Sequence, residues 1–259
     1  MLPIKMTLPD HTNDYLLDKQ VKILQPVDGY RASTDAVLLS AMVEDIANHA
    51  KVLDVGSGTG AVSLCLAQRF QQKNAEIIGL EIQPELVALS NASAAANHFD
   101  FLQYLQTDIR QKQSFEKLKP CSFDVVISNP PYSLNDLPSP NNSKATAHNM
   151  QSFDLSGWIG FCLKMTKPFG HIYMVHRAEA LPQICSVLSG KAGALRVLPI
   201  YSKSRQNAKR VIIAAQKDSK APCLILTPFI THTQTGQYTP EAEEILRAGK
   251  SFSQILTEV

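Results

Sequence analysis

The chain has 259 residues, is 44% hydrophobic and carries a formal net charge of +2; it can bury the core of one domain of about 200 to 250 residues, and its charge by itself implies no polyanionic partner. No stretch approaches the roughly 18 apolar residues of a membrane span, and the N-terminus has no signal-peptide pattern, so the sequence reads as one soluble, cytoplasmic domain over residues 1–259. Cys65, Cys121, Cys162, Cys185 and Cys223 are scattered without the spacing of a metal cluster, which predicts reduced thiols and no metal.

In chain order, Lys19 to Gln25 reads as a strand and Ser33 to Ile46 as a helix, with Ser33 or Thr34 as its N-cap. Short β-branched runs then alternate with helical patterns: Val52 to Val55, Ile77 to Glu81, Leu102 to Asp108, Phe123 to Ser128 and His171 to Val175 predict buried strands. This alternation implies an α/β fold, a mostly parallel, doubly wound sheet covered on both faces. The pattern ends differently. Leu195 to Tyr201 and Arg210 to Gln216 are separated only by the polar loop SKSRQNAK, which predicts an antiparallel hairpin, and Cys223 to Leu226 could add an edge strand.

The segment VLDVGSGTGAVSLCLA sets Gly56, Gly58 and Gly60 between a strand and a helix, where glycine permits a tight turn and close approach to a ligand. Gly56, Gly58 and Ala61 also satisfy the G-x-G-x-x-A form of dinucleotide sites, so a nicotinamide cofactor has to be weighed. Asp54 would set a carboxylate where a pyrophosphate should lie. It suits a cofactor bearing a cationic ammonium and sulfonium, such as S-adenosylmethionine. Glu81, ending the second core strand, is placed to accept from ribose hydroxyls of either cofactor. Asp108, or the backbone of Ile109, could contact its adenine.

Asn129-Pro130-Pro131-Tyr132 follows the apolar strand FDVVIS, at the strand end where ligands collect in open α/β sheets. An adenine amine is a poor nucleophile because its lone pair is delocalised into the ring. Two acceptors on its hydrogens, Asn129 Oδ1 and the Pro130 carbonyl, would favour a pyramidal, attacking nitrogen. Pro130 and Pro131 stiffen the turn, and Tyr132 offers a face for a splayed base. Methyl transfer from a sulfonium needs no general base, so no catalytic histidine is expected. His148 reads as a solvated loop residue and Trp158 as core packing.

The charge is unevenly distributed. No acid occurs from Ala180 to Lys217, whereas residues 1–50 hold seven acids and four bases. Lys203, Arg205, Lys209 and Arg210 lie in or beside the hairpin and are the expected RNA phosphate contacts.

The blocks LQPVDGYRASTDAVLLSAMV, VLDVGSGTGAVSL, ISNPPY, AKRVIIAAQK and YTPEAEEIL together resemble the bacterial tRNA adenine-N6 methyltransferases that modify the base beside the anticodon of a valine tRNA. The likeness runs over most of the chain. It implies a Rossmann-like class I methyltransferase fold with a single domain: an N-terminal cap (1–48), a core (49–217) and a C-terminal extension (218–259). It also implies that Gln25, Tyr30, Arg31 and Asp35 wall the methionine end of S-adenosylmethionine, while Asn129 to Tyr132 hold the target adenine. The expected substrate is tRNA, with the enzyme a monomer or weak homodimer. One departure is Ala147-His148-Asn149-Met150, which lacks the acid of an Ala-His-x-Glu element. The Asn-Pro-Pro-Tyr motif is shared with methyltransferases of guanine amines in ribosomal RNA and of glutamine amides in proteins, so these readings stay open beside a non-enzymatic cofactor-binding scaffold.

Overall fold

The computed structural model describes residues 8–29, 31–115, 118–132 and 154–256. Strands β1 (His11–Leu16) and β2 (Val21–Pro26) form a separate antiparallel hairpin. Helix α1 (Thr34–Met42) leads into β3 (Lys51–Val55), α2 (Ala61–Arg69), β4 (Glu76–Glu81), α3 (Pro84–Ala96), β5 (Leu102–Gln106) and β6 (Phe123–Ser128). Next come α4 (Leu155–Met165), β7 (Thr166–Arg177), α5 (Leu181–Leu188), β8 (Ala192–Tyr201) and β9 (Arg210–Lys217). Two short strands, β10 (Leu224–Ile225) and β11 (Phe229–Ile230), and two short helices, α6 (Pro240–Leu246) and α7 (Phe252–Ile255), close the described chain.

The main sheet runs β10-β8-β9-β7-β6-β3-β4-β5, with β11 also on β8. Its central pairs β7-β6, β6-β3, β3-β4 and β4-β5 are parallel, and β9 runs antiparallel between β7 and β8. This is a Rossmann-like α/β fold whose parallel sheet ends in the expected antiparallel pair. Strands β3, β4 and β6 are apolar on both faces because helices cover both. Val52, Ile77 and Val125 pack with α1 and α2, whereas Leu53, Ile78 and Val126 pack with α4 and α5. The edge strand β5 is more exposed, with Leu102 and Tyr104 buried and Gln103, Leu105 and Gln106 exposed.

Local chemistry explains the shifted boundaries. Helix α1 stops at Met42 rather than Ile46 because the Arg69 guanidinium, from α2, donates to the carbonyls of Ser40 and Val43, satisfying groups that a helix end leaves open. β1 was not expected, since HTNDYL carries no run of apolar residues. Its partner begins at Val21 rather than Lys19 because Leu17, Asp18 and Lys19 adopt positive φ in the connecting turn. The hairpin is docked on α3: the Leu24 amide donates to Ser93 Oγ at 2.9 Å, and Asn97 exchanges hydrogen bonds with the Lys22 backbone.

Candidate active site

The glycine loop joins β3 to α2. Gly56, Gly58 and Gly60 all have left-handed φ, at 72°, 55° and 82°. A Cβ on Gly60 would come within 2.3 Å of the Tyr104 hydroxyl, and one on Gly56 within 2.6 Å of the Trp158 ring. Buried aromatic side chains therefore fix the loop from two sides, and only glycine fits there.

Four amides of this turn are already used. Those of Gly56 and Ser57 both donate to the Leu80 carbonyl, that of Gly60 donates to Ser57, and that of Gly58 donates to Glu81 Oε2 at 2.9 Å. A pyrophosphate would need those N–H groups free. Negative charge lies beneath the loop instead of on its surface, since Asp54, like Gly60, is not among the residues that wall the neighbouring cavity. Asp54 lies buried under the loop, 1% exposed, and among the described residues neither carboxylate oxygen finds a hydrogen bond of good geometry. Burial pushes its carboxyl up to about 7; Ser63 opposes the shift and the charge of Glu81 adds to it. A cation above the loop would relieve both carboxylates.

A cavity of about 560 Å³ opens here, walled by Arg31, Gly56, Gly58, Glu81, Asp108, Ile109 and the Asn129-to-Tyr132 segment, among others. The strand ends account for this meeting point, since β3, β4 and β6 are parallel neighbours and deliver Gly56, Glu81 and Asn129 to one edge of the sheet. Glu81 is 7% exposed, and its Oε1 accepts from the amides of Ile82 and Gln83. Asp108 is already engaged. Burial opposes its charge, yet the Arg110 side chain (Nε at 2.7 Å and Nη2 at 2.8 Å) holds its pKa below the usual carboxylate range. Ile109 is therefore the more available of the two expected adenine contacts.

At the other wall, Gln25 is buried. It donates to Asp14 and accepts from the Ala32 amide, while Arg31 donates to Asp14 at 2.7 Å. This network anchors Arg31 and Ala32 to the β1–β2 hairpin, and Gly29, Arg31 and Ser33 line the cavity. Tyr30 lies outside the described residues, as do His148 and the departure at 147–150.

Asn129 is half-buried and Pro130 buried. The Trp158 indole N–H donates to Ser128 Oγ at 2.9 Å, and that hydroxyl donates to the Val55 carbonyl at 2.6 Å. Trp158 is thus both core and cavity wall, a role that its place on an apolar helix face did not reveal.

Tyr132 gives two corrections. Its hydroxyl donates to Asp35 Oδ2 at 2.6 Å, and Arg210 Nε lies 3.0 Å from both oxygens. Arg210 was expected to contact RNA phosphate, but β9 begins beside the end of β7 and turns this side chain inward onto Asp35 and the Tyr132 ring. Asp35 was expected to face the cofactor; it does not line the cavity, and its Oδ2 is shared by Tyr132 and Arg210. Arg177 and His176, not singled out in the sequence, also flank the ring. Their only sequence signal is their place at the end of a core strand. Of the remaining basic residues, Arg205 and Lys209 are exposed, and Lys203 is partly so, donating to the Gln234 carbonyl.

A family model described as a methyltransferase domain matches residues 46–225. The chain belongs to this methyltransferase family. Its cofactor is S-adenosylmethionine, and the used loop amides and the buried Asp54 carboxylate fit a cationic ligand better than a pyrophosphate, whereas Glu81 suits the ribose of either cofactor. Among curated relatives, a tRNA1(Val) (adenine(37)-N6)-methyltransferase of Porphyromonas gingivalis is 29% identical, covering 86% of this chain and 89% of the relative. One of the same name from Bacteroides thetaiotaomicron is 27% identical, covering 91% and 96%. Among solved structures, a predicted O-methyltransferase of Agrobacterium tumefaciens superposes with a TM-score of 0.69 at 22% identity, over 84% of this chain and 97% of that one. A 16S rRNA N2 methyltransferase of Thermus thermophilus, solved with AdoMet and guanosine, gives 0.54 at 19%, over 83% and 52%. These two likenesses concern the fold.

Proposed function

We propose that this methyltransferase transfers the methyl group of S-adenosylmethionine to the N6 amine of an adenine in tRNA, at the position beside the anticodon, and works in the cytoplasm. The reading is carried by one observation: Asn129 to Tyr132 stand on the cavity wall that also holds Gly56, Gly58 and Glu81. Naming the acceptor draws further support from relatives named for this reaction, which match over most of their length. The bound cofactor supplies an electrophilic methyl on a sulfonium. The remaining roles fall to side chains of the protein. Glu81 accepts from the ribose hydroxyls, Asp54 stabilises the positive charge, and Ile109 borders the cofactor adenine. Arg31 and the segment it holds close the methionine end. Asn129 Oδ1 and the Pro130 carbonyl accept from the target amine, and Tyr132 packs on the target base.

The acceptor must be able to leave a stack, which favours an anticodon loop over a paired stem. Lys203, Arg205 and Lys209 border the catalytic edge, since β8 ends and β9 begins beside Arg177, and there they meet the phosphates of the loop. Incubation with an unmodified tRNA anticodon stem-loop and S-adenosylmethionine, followed by nucleoside mass spectrometry, should yield N6-methyladenosine. Label incorporated into a protein glutamine or a ribosomal RNA guanine, with tRNA left untouched, would reject this reading.

A further inference from the structure

Tyr132 is held more tightly than a residue that merely offers a stacking face requires. Its hydroxyl donates a hydrogen bond to Asp35 Oδ2 at 2.6 Å, the same oxygen accepts from Arg210 Nε at 3.0 Å, and that nitrogen also lies 3.0 Å from the Tyr132 oxygen. The Arg210 guanidinium sits 4.5 Å from the ring centroid, that of Arg177 5.3 Å, and the His176 ring meets Tyr132 edge-on. The side chains of Arg210 and Asp35 are only 30% and 16% exposed, so water screens this pair less than a surface ion pair. Asp35, Tyr132 and Arg210 come from different elements: the start of α1, the turn after β6 and the start of β9.

We propose that Asp35 and Arg210 are positioning residues that fix the Tyr132 ring in the attitude required by the base to be methylated. The proposal rests on the reading that Tyr132 packs on the target base. Asp35 sets the direction of the hydroxyl, and the planar guanidinium, able to reach Asp35 and cover the ring at once, sets the rotation of the ring. A lysine could supply the charge but not this geometry.

The test is a double-mutant cycle on the full chain, with the tRNA anticodon stem-loop as acceptor and calorimetry for S-adenosylmethionine. Asp35→Ala and Tyr132→Phe should each lower kcat/KM for RNA about tenfold or more, since small misplacements at a reacting centre are costly. The double variant should be no worse than the poorer single one, because both remove the same contact. Asp35→Asn, which keeps an acceptor for the hydroxyl but not the charge that holds Arg210, should fall between parent and Asp35→Ala. Arg210→Lys should resemble Asp35→Asn. Cofactor affinity and melting temperature should stay close to those of the parent for Asp35→Asn. Multiplicative losses in the cycle, or a loss of cofactor affinity matching the loss of turnover, would overturn the proposal. Should the parent enzyme leave RNA untouched and methylate a protein amide, the functional reading falls, and the same cycle on that acceptor still decides the role of the pair.

Discussion

The Gly58 amide donates to Glu81 Oε2 at 2.9 Å, linking the glycine loop to the acid that ends the neighbouring strand. Because Glu81 Oε1 also accepts from the Ile82 and Gln83 amides, this carboxylate faces backbone donors on both oxygens. Glutamine is no conservative substitute, since its NH2 would confront an N–H. Glu81→Gln and Glu81→Ala should both weaken S-adenosylmethionine binding by about tenfold to a hundredfold, in line with the loss of a charged acceptor. Calorimetry decides this, and a Glu81→Gln variant of parental affinity would contradict it.

Asp54 should make the stability of the protein depend on pH when no cofactor is bound. Its carboxyl is raised from 3.8 to about 7, mainly by burial. Between about pH 4 and 7 the folded chain keeps a proton that the unfolded chain has released, so this group lowers stability as pH rises through that window and adds its full penalty above it. Asp54→Asn should therefore melt higher than the parent at pH 8, with the difference shrinking toward pH 4, while cofactor affinity at pH 8 falls. A melting difference equal at pH 5 and pH 8 would exclude this origin.

Gly60 combines a left-handed φ of 82° with a site for a Cβ only 2.3 Å from the Tyr104 hydroxyl, whereas Gly190, at 73°, has nothing within 4 Å. Gly190→Ala should cost roughly 1–2 kcal/mol from backbone strain alone. Gly60→Ala adds overpacking of about 1–3 kcal/mol and should also displace the loop and lose cofactor binding. Denaturant melts of both variants separate the two contributions, and equal losses would show that Tyr104 yields without cost.

Asn129→Ala should abolish most turnover while leaving cofactor affinity near that of the parent, because the expected partner of the side chain is the acceptor amine. Trp158→Ala should behave differently. It removes a buried ring and the N–H held by Ser128, so it should cost about 3–5 kcal/mol of stability and disturb both β3 and the catalytic segment. Single-turnover assays alongside thermal melts distinguish the two. An active Asn129→Ala enzyme would remove that residue from the mechanism.

Replacing Lys203, Arg205 and Lys209 together with alanine should weaken RNA binding and flatten its dependence on salt, by roughly 0.7 to 0.9 in the logarithmic slope for each lost phosphate contact. Arg210→Ala should leave that slope unchanged and lower turnover, since its guanidinium is engaged by Asp35 and Tyr132. A slope lost only with Arg210 would reverse these assignments.

The parallel core was legible because buried strands must be apolar on both faces: KVLDV, EIIGLE and FDVVIS announce themselves, and the glycines and the Asn-Pro-Pro-Tyr turn mark where such strands end. Those features depend on local backbone geometry, which neighbouring residues in sequence dictate. What the sequence could not disclose is which side chains meet across long separations. The polar hairpin strand β1, the Arg69 cap on α1 and the Trp158 prop on Ser128 all depend on how separate elements pack. The same holds for Arg210, whose basic neighbours suggested a surface contact. Antiparallel insertion of β9 beside β7 brought it to an acid 175 residues away. Charge in a sequence says which partners a residue can take; only the packed sheet decides which of them comes within reach.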